Sequence, residues 1–239
     1  MSKCVEKIKH SCGAHALQIF QQDNGTYDGF CFSCGKHEPN PYGDRPEGYK
    51  PTVILKTQEE IQAELAEIGD YQTIGLPERK LRKESLEYFG ITVGVSQEDG
   101  TTPYSVYFPY YKDRELIGYK ARVLEPKKMW AVGTTKNADL FGWEQAVATG
   151  AKRLFITEGE FDAVALFQIF KDEAKGTKYA DYNPAIVSLV SGAGSAKKDL
   201  PSRIKDIRHH FKEIVLVFDM DGPGKLAAAE VAKVVPDVM

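Results

Sequence analysis

Two pairs of ligand-type residues, Cys12-x2-His15 and Cys31-x2-Cys34, constrain this 239-residue chain more tightly than any other feature. The gap within each pair puts two side chains on one tight turn. The fifteen residues between the pairs suffice for a hairpin, so four ligands can converge tetrahedrally on one structural Zn2+. Gly13 and Gly35 supply the backbone freedom that such turns require. Residues 17–20 and 27–32, separated by Asp23-Asn24-Gly25, read as the hairpin strands. A module of this size, residues 8–38, cannot bury a stable core alone, so the metal would supply its folding energy. Cys4 and His10 fall outside the spacing, and either becomes a candidate if His15 is not a ligand. His37 reads as a surface histidine. The lysine-rich start, residues 1–11, is not followed by an apolar signal core, and no apolar run has membrane-spanning length. The expectation is therefore a cytoplasmic protein that meets no membrane, whose four cysteines serve a metal rather than disulfides.

Residues 39–51, rich in Pro, Gly, Tyr and charge, have the composition of a linker, and residues 56–68 read as a short amphipathic helix that extends the tether to about residue 69. Residues 76–87 look helical and 90–95 strand-like. Between residues 104 and 130 short β-strands are expected at 105–110, 116–122 and 129–132. From residue 152 strands and helices alternate: strands at 153–157, 185–190 and 213–218, helices at 161–172, about 196–211 (entered through Pro201) and 225–235. That alternation implies parallel pairing and an α/β sheet. The chain stops just after the last helix, where such a sheet usually continues, so a truncated final subdomain is expected.

Acidic groups follow two of these strands: Thr157-Glu158-Gly159-Glu160, with Asp162 just beyond, and Asp219-Met220-Asp221-Gly222. Open parallel sheets bind ligands at the carboxyl ends of their strands, so both groups can meet at one rim. Carboxylates gathered at short range repel one another unless a hard cation neutralises them, and oxygen donors such as Glu158, Asp219 and Asp221 suit one or two Mg2+ ions. The plainer alternative is that these acids cap helices. Gly192, Gly194, Ser195, Lys197 and Lys198 lie in a glycine-rich stretch at the start of a helix, a favourable place for phosphate, although it is no Walker motif. The net charge of −3 argues against a protein that coats nucleic acid by bulk charge. Local basic runs remain, one holding Lys120, Arg122, Lys127, Lys128 and Lys136, the other spanning residues 197–212.

In this order the pieces resemble the primase portion of short-tailed phage primase–helicases and, more distantly, bacterial replicative primases (the DnaG-type superfamily). They are Cys12/His15/Cys31/Cys34, Tyr119-Lys120-Ala121-Arg122, Lys128-Met129-Trp130, Thr157-Glu158-Gly159-Glu160-Phe161-Asp162, the 191–198 loop and Phe218-Asp219-Met220-Asp221. The resemblance implies an α+β and α/β architecture: an N-terminal zinc-ribbon β module, a mixed-sheet RNA-polymerase subdomain over residues 70–150, and a TOPRIM α/β subdomain over 151–239. It implies a DNA-dependent RNA primase acting on single-stranded DNA and ribonucleoside triphosphates, beside a replicative helicase and DNA polymerase. In that reading Glu158, Asp219 and Asp221 hold catalytic Mg2+. Lys120 and Lys128 serve the reaction, and Arg122 and Lys127 join the glycine loop in contacting nucleotide or nucleic acid. Two departures from the phage pattern are expected: His15 as a ligand where the phage proteins usually carry a fourth cysteine, and, with the truncation expected above, no helicase or final acidic TOPRIM segment. Phe20, Tyr27, Phe30 or Phe32 of the ribbon would stack on template bases or form its core. Two rival classes share these parts: a zinc/TOPRIM recombination mediator that binds DNA without catalysis, and a TOPRIM nuclease or topoisomerase.

Overall fold

The computed structural model describes residues 3–22, 25–43, 56–125, 128–235 and 238. Most of the expected linker, residues 44–55, and Lys127 lie outside the described residues. The chain divides into two compact units, Met1–Thr57 and Gln58–Met239.

The first unit is a four-stranded antiparallel sheet in the order β1 (Lys3–Ile8), β2 (Leu17–Gln21), β3 (Tyr27–Cys31), β4 (His37–Glu38). The hairpin expected from the sequence is β2–β3, with Leu17 opposite Cys31 and Gln21 opposite Tyr27. Period-two alternation puts Leu17, Ile19 and Cys31 into a small core, closed by Tyr42 and flanked by Val5 and Ile8 of β1. So few buried side chains leave most of the folding energy to be found elsewhere.

The second unit begins with α1 (Gln58–Gly69), whose Leu65 and Ile68 pack on Tyr119 and Val132 of a sheet, so this helix belongs to the second unit rather than to a tether. The helix read at 76–87 is broken: a 3-10 turn, Pro77–Arg79, ends at Lys80 in a left-handed conformation, and α2 (Lys83–Tyr88) follows. Next come β5 (Thr92–Val95), β6 (Pro103–Lys112), β7 (Glu115–Val123) and β8 (Lys128–Gly133) in sequential order. All their pairings are antiparallel, which corrects the mixed sheet that the family resemblance implied. The cause is the length of the connections, since neighbouring strands joined by tight turns can only reverse direction.

After α3 (Trp143–Ala148), which sequence reading missed, the pattern becomes β9 (Arg153–Thr157), α4 (Glu160–Ala174), β10 (Ala185–Ser188), α5 (Ala193–His210), β11 (Glu213–Val217) and α6 (Gly222–Val234). The strands pair in parallel in the order β10-β9-β11, as the alternation predicts. Helix α5 starts earlier than expected, and Pro201 lies inside it rather than at its entry. The apolar spacing of Ala196, Leu200 and Ile207, all buried, outweighs the one hydrogen bond that proline removes. Val238 makes a parallel bridge to Ile214, which returns the chain to the sheet beside β11.

One core joins the two sheets of this unit: Val106, Phe108 and Tyr110 of β6 pack with Ala163, Val164 and Phe167 of α4, together with Phe89 and Phe141. Among the described residues no helix is long and apolar enough to cross a membrane.

Candidate metal centre and acidic–basic site

In the first unit the ligand atoms of His10, Cys12, Cys31 and Cys34 all lie within 4.8 Å of one another. His15 is exposed and outside this group, so the fourth ligand expected from the spacing is replaced by His10. The local backbone explains the exchange. His10 N donates to Ala14 O and Gly13 N to His10 O, closing a turn with Gly13 at φ +89° that brings His10 and Cys12 together. His15 lies beyond that turn, where the chain is already entering β2. The second knuckle forms as expected, with Gly35 N donating to Cys31 O and Gly35 at φ +71°.

Cys12 Sγ and Cys31 Sγ are 3.8 Å apart, and Cys34 Sγ and His10 Nδ1 are 3.4 Å apart. A tetrahedral zinc site with ordinary bond lengths has S–S and S–N edges of about 3.8 and 3.5 Å, so the residues fit zinc. Burial resists ionisation of Cys31, but backbone N–H groups of Cys34 and Ser33 outweigh it and lower the thiol below its ordinary value. His10, 5% exposed, uses its other nitrogen: Nε2 is 3.0 Å from Glu38 Oε1. Carboxylates in that position orient a ligating imidazole, so Glu38→Gln is expected to weaken zinc affinity by about 10- to 100-fold in a chelator competition. An unchanged affinity would remove Glu38 from that role. His37, exposed as expected, pairs with Asp28 at 2.5 Å, and Cys4 lies outside the cluster.

In the second unit the acids sit where the sequence predicts. Glu158 follows β9, and Asp219 and Asp221 follow β11, the strand paired with β9. Asp219 N donates to Glu158 Oε1 at 3.0 Å, which ties the two strand ends together. Asp221 caps α6 by accepting from Gly224 N at 2.8 Å, so the plainer alternative holds for this one of its oxygens. Gly224 is required here, because a Cβ on it would lie 2.2 Å from Asp219 O and 2.6 Å from Glu158 Oε1. The Glu158 carboxyl is raised above its ordinary value by burial and by repulsion from Asp219, Asp221 and Asp162, partly offset by the Asp219 N–H. Asp162 is raised likewise, by desolvation of its carboxyl and by Asp219, while Arg122 opposes the shift. The donors are all oxygens, Asp219 and Asp221 are exposed, and the group repels itself, a combination suited to a hard divalent cation. Among the described residues the oxygens of Glu158, Asp219 and Asp221 are not gathered within the 4.8 Å span that the Cys/His group meets.

Lys120 and Arg122 leave β7 on the α4 side of the antiparallel sheet, opposite Phe108 and Val106. The Arg122 guanidinium lies 5.4 Å from the Phe161 ring centroid, and its buried Nε has no hydrogen-bond partner among the described residues. Arg79, which the sequence reading missed, lies 4.2 Å from the same ring, and burial together with Arg122 lowers its pKa. Two cations crowd one ring and, among the described residues, no carboxylate is bonded to either guanidinium, an arrangement that favours an added anion. Lys128 pairs with Val123, so alternation sends it out on the Trp130 face, away from Lys120 and Arg122. A cavity of about 1130 Å3 lies on that other face, lined by Tyr71, Tyr107 and Trp130, and it includes none of the expected site residues.

The glycine-rich loop forms the N-terminus of α5, with Gly192 at φ +71° and the Ser195 hydroxyl donating to Gly192 O at 3.0 Å. A Cβ on Gly192 or Gly194 would meet open space. Lys198 is exposed, whereas Lys197 is bound to Glu230 at 2.6 Å. Lys197 and Lys233 together hold that glutamate at about 2.

Residues 155–238 match the Toprim-like family model. A DNA helicase/primase of Enterobacteria phage T3 is 31% identical over 128 residues, which is 53% of this chain and 20% of the phage protein. The chain thus spans about one fifth of the length of that curated relative. The primase fragment of the bacteriophage T7 primase–helicase is similar in structure, with a TM-score of 0.57 and 24% identity over 99% of this chain and 89% of that one. A second T7 structure holds lagging-strand DNA polymerase interacting with primase domains of two subunits bound to an RNA/DNA hybrid and dTTP. It gives a TM-score of 0.54 at 27% identity, over 70% of this chain and 77% of that chain. The chain therefore carries a Toprim-like segment at residues 155–238, resembles the primase fragment of the T7 primase–helicase in fold over nearly its whole length, and is similar over about half its length to the T3 DNA helicase/primase.

Proposed function

We propose that the chain is a DNA-dependent RNA primase that joins ribonucleoside triphosphates on a single-stranded DNA template. The observation that carries this reading is the adjacency, within one unit, of the carboxylates at the ends of β9 and β11 to the cations around Phe161, with Asp162 feeling both Asp219 and Arg122. The T7 relative bound to an RNA/DNA hybrid and dTTP supports it.

Glu158, Asp219 and Asp221 are the residues that would hold Mg2+. Bound there, that ion would lower the barrier to deprotonating a 3′-hydroxyl and neutralise the leaving pyrophosphate. The 3′-oxygen attacks the α-phosphorus of the next nucleotide, the bond to the β-phosphate breaks, and the hydroxyl proton passes to solvent. Lys120, Arg122 and Arg79 bind the triphosphate or nascent RNA, supplying charge without competing as metal ligands. Gly192, Gly194, Ser195 and Lys198 offer a further phosphate contact at the α5 N-terminus. Lys197 would join them only on leaving Glu230. The structural zinc holds the module that engages the template, and a replicative helicase and DNA polymerase are the partners of the assembled primase.

The direct test is incorporation of labelled ribonucleotides on single-stranded DNA. Mg2+-dependent oligoribonucleotides support the proposal. Tight DNA binding with no product returns the recombination-mediator reading, and template cleavage returns the nuclease reading. Within the proposal, Arg79→Ala is expected to raise the KM for nucleotide about tenfold, as loss of one charge-assisted contact does. A KM equal to that of the parent protein would place Arg79 outside the substrate site.

A further inference from the structure

Glu160 has neighbours unlike those of the acids around it. Its Oε1 accepts a hydrogen bond from the Tyr110 hydroxyl at 2.5 Å and another from Lys120 Nζ at 2.5 Å. The same Lys120 Nζ donates to the Val190 carbonyl at 2.8 Å. Tyr110 is 1% exposed and Glu160 8% exposed, and only 20% of the Lys120 side chain meets solvent. Tyr110 and Lys120 stand diagonally on one face of the β6–β7 pair, where Tyr110 is opposite Gly118 and Phe108 opposite Lys120. Glu160 opens α4 and Val190 lies just beyond β10, so an ammonium carried by the antiparallel sheet is held by two acceptors from the parallel-sheet part of the unit. An ammonium has three N–H donors, and two of these are committed to protein acceptors.

We infer that Glu160, itself oriented by Tyr110, is a positioning residue for Lys120 and not a ligand of the catalytic metal. It fixes the ammonium so that the remaining N–H serves the anionic substrate. Tyr110 locks the carboxylate rotamer through a bond made in the core, out of reach of water. Glu158 differs in that a backbone N–H and other carboxylates surround its carboxyl. The inference rests on the reading of Lys120 as a triphosphate or RNA contact.

The test combines primer-synthesis kinetics of the full chain with Mn2+ affinity measured by electron paramagnetic resonance. Glu160→Ala is expected to raise the nucleotide KM about tenfold, with a smaller change in kcat, as loss of a charge-assisted hydrogen bond does. Glu160→Gln keeps an acceptor oxygen and recovers most of that loss, and Tyr110→Phe, which removes one hydroxyl and keeps the ring, raises KM about threefold. In a Lys120→Met background none of these changes has further effect, and Mn2+ affinity stays within about twofold throughout.

The inference is overturned if Glu160→Ala keeps its full effect without Lys120, or weakens Mn2+ binding as Glu158→Gln does. It is also overturned if Lys120→Met raises KM while Tyr110→Phe and Glu160→Ala leave it unchanged. A Lys120→Met protein with an unaltered KM removes the substrate role of Lys120, and the positioning role falls with it. Tyr110→Phe keeps the test decisive should Glu160→Ala fail to fold.

Discussion

Ribonucleotide incorporation by a Glu158→Gln variant is expected to fall by roughly 10^3-fold or more if, as proposed, Glu158 holds the catalytic metal, because losing such a ligand removes several kcal/mol of transition-state stabilisation. Binding of single-stranded DNA should stay within about twofold of the parent, since that term comes from cations elsewhere in the chain. The same substitution has an opposite effect on stability. Burial and the nearby Asp219, Asp221 and Asp162 hold the Glu158 carboxyl above its ordinary value, so its ionised form destabilises the metal-free fold. An acid with a raised folded-state pKa loses stability as pH rises through that value and regains it as pH falls. Metal-free Glu158→Gln should therefore melt at a higher temperature than the parent at neutral pH, and the difference should shrink in mild acid. Synthesis at the parent rate would remove Glu158 from the catalytic set, and a lower melting temperature would contradict the account of its electrostatics.

His10→Ala should release zinc and unfold the first unit, while His15→Ala should keep both zinc and fold. The expected effect is large, because structural zinc contributes an apparent ~10–16 kcal/mol to the folding of such modules. Zinc content by atomic absorption and near-ultraviolet circular dichroism of the full chain measure it, and His10→Cys should restore binding by supplying a thiolate. If His15→Ala loses zinc and His10→Ala retains it, the ligand set drawn from the geometry is wrong.

The contrast between these histidines marks where residue order stops being informative. Regular spacing of two marked Cys12, Cys31 and Cys34, but the choice of histidine depended on β1, whose lysines conceal a strand. Alternating strands and helices announced the parallel sheet and placed Glu158, Asp219 and Asp221 at its rim, because that pattern is local. The cationic side depends on sheet register and long-range packing. Arg79 reaches Phe161 from a 3-10 turn about eighty residues earlier, with no motif to mark it. Lys128 looked equivalent to Lys120 by proximity in sequence, yet alternation along β8 sends it to the opposite face. Glu160 stood inside an acidic run, and only its contact with Tyr110 and Lys120 separates it from its neighbours. Pro201, a boundary signal in one dimension, is tolerated in mid-helix because Leu200 and Ile207 anchor the helix on either side.

The aromatic and aliphatic seam linking β6 to α4 also determines where this polypeptide tolerates a break. Severing it after Gly150 would strip Phe108 and Tyr110 from Ala163, Val164 and Phe167, leaving each half with a naked greasy face. Such halves should be insoluble when produced apart and recover solubility when produced in the same cell. The carboxylate-bearing and guanidinium-bearing parts of this unit are thus obliged to fold as partners, which in the proposed primase would keep their spacing constant from one round of synthesis to the next.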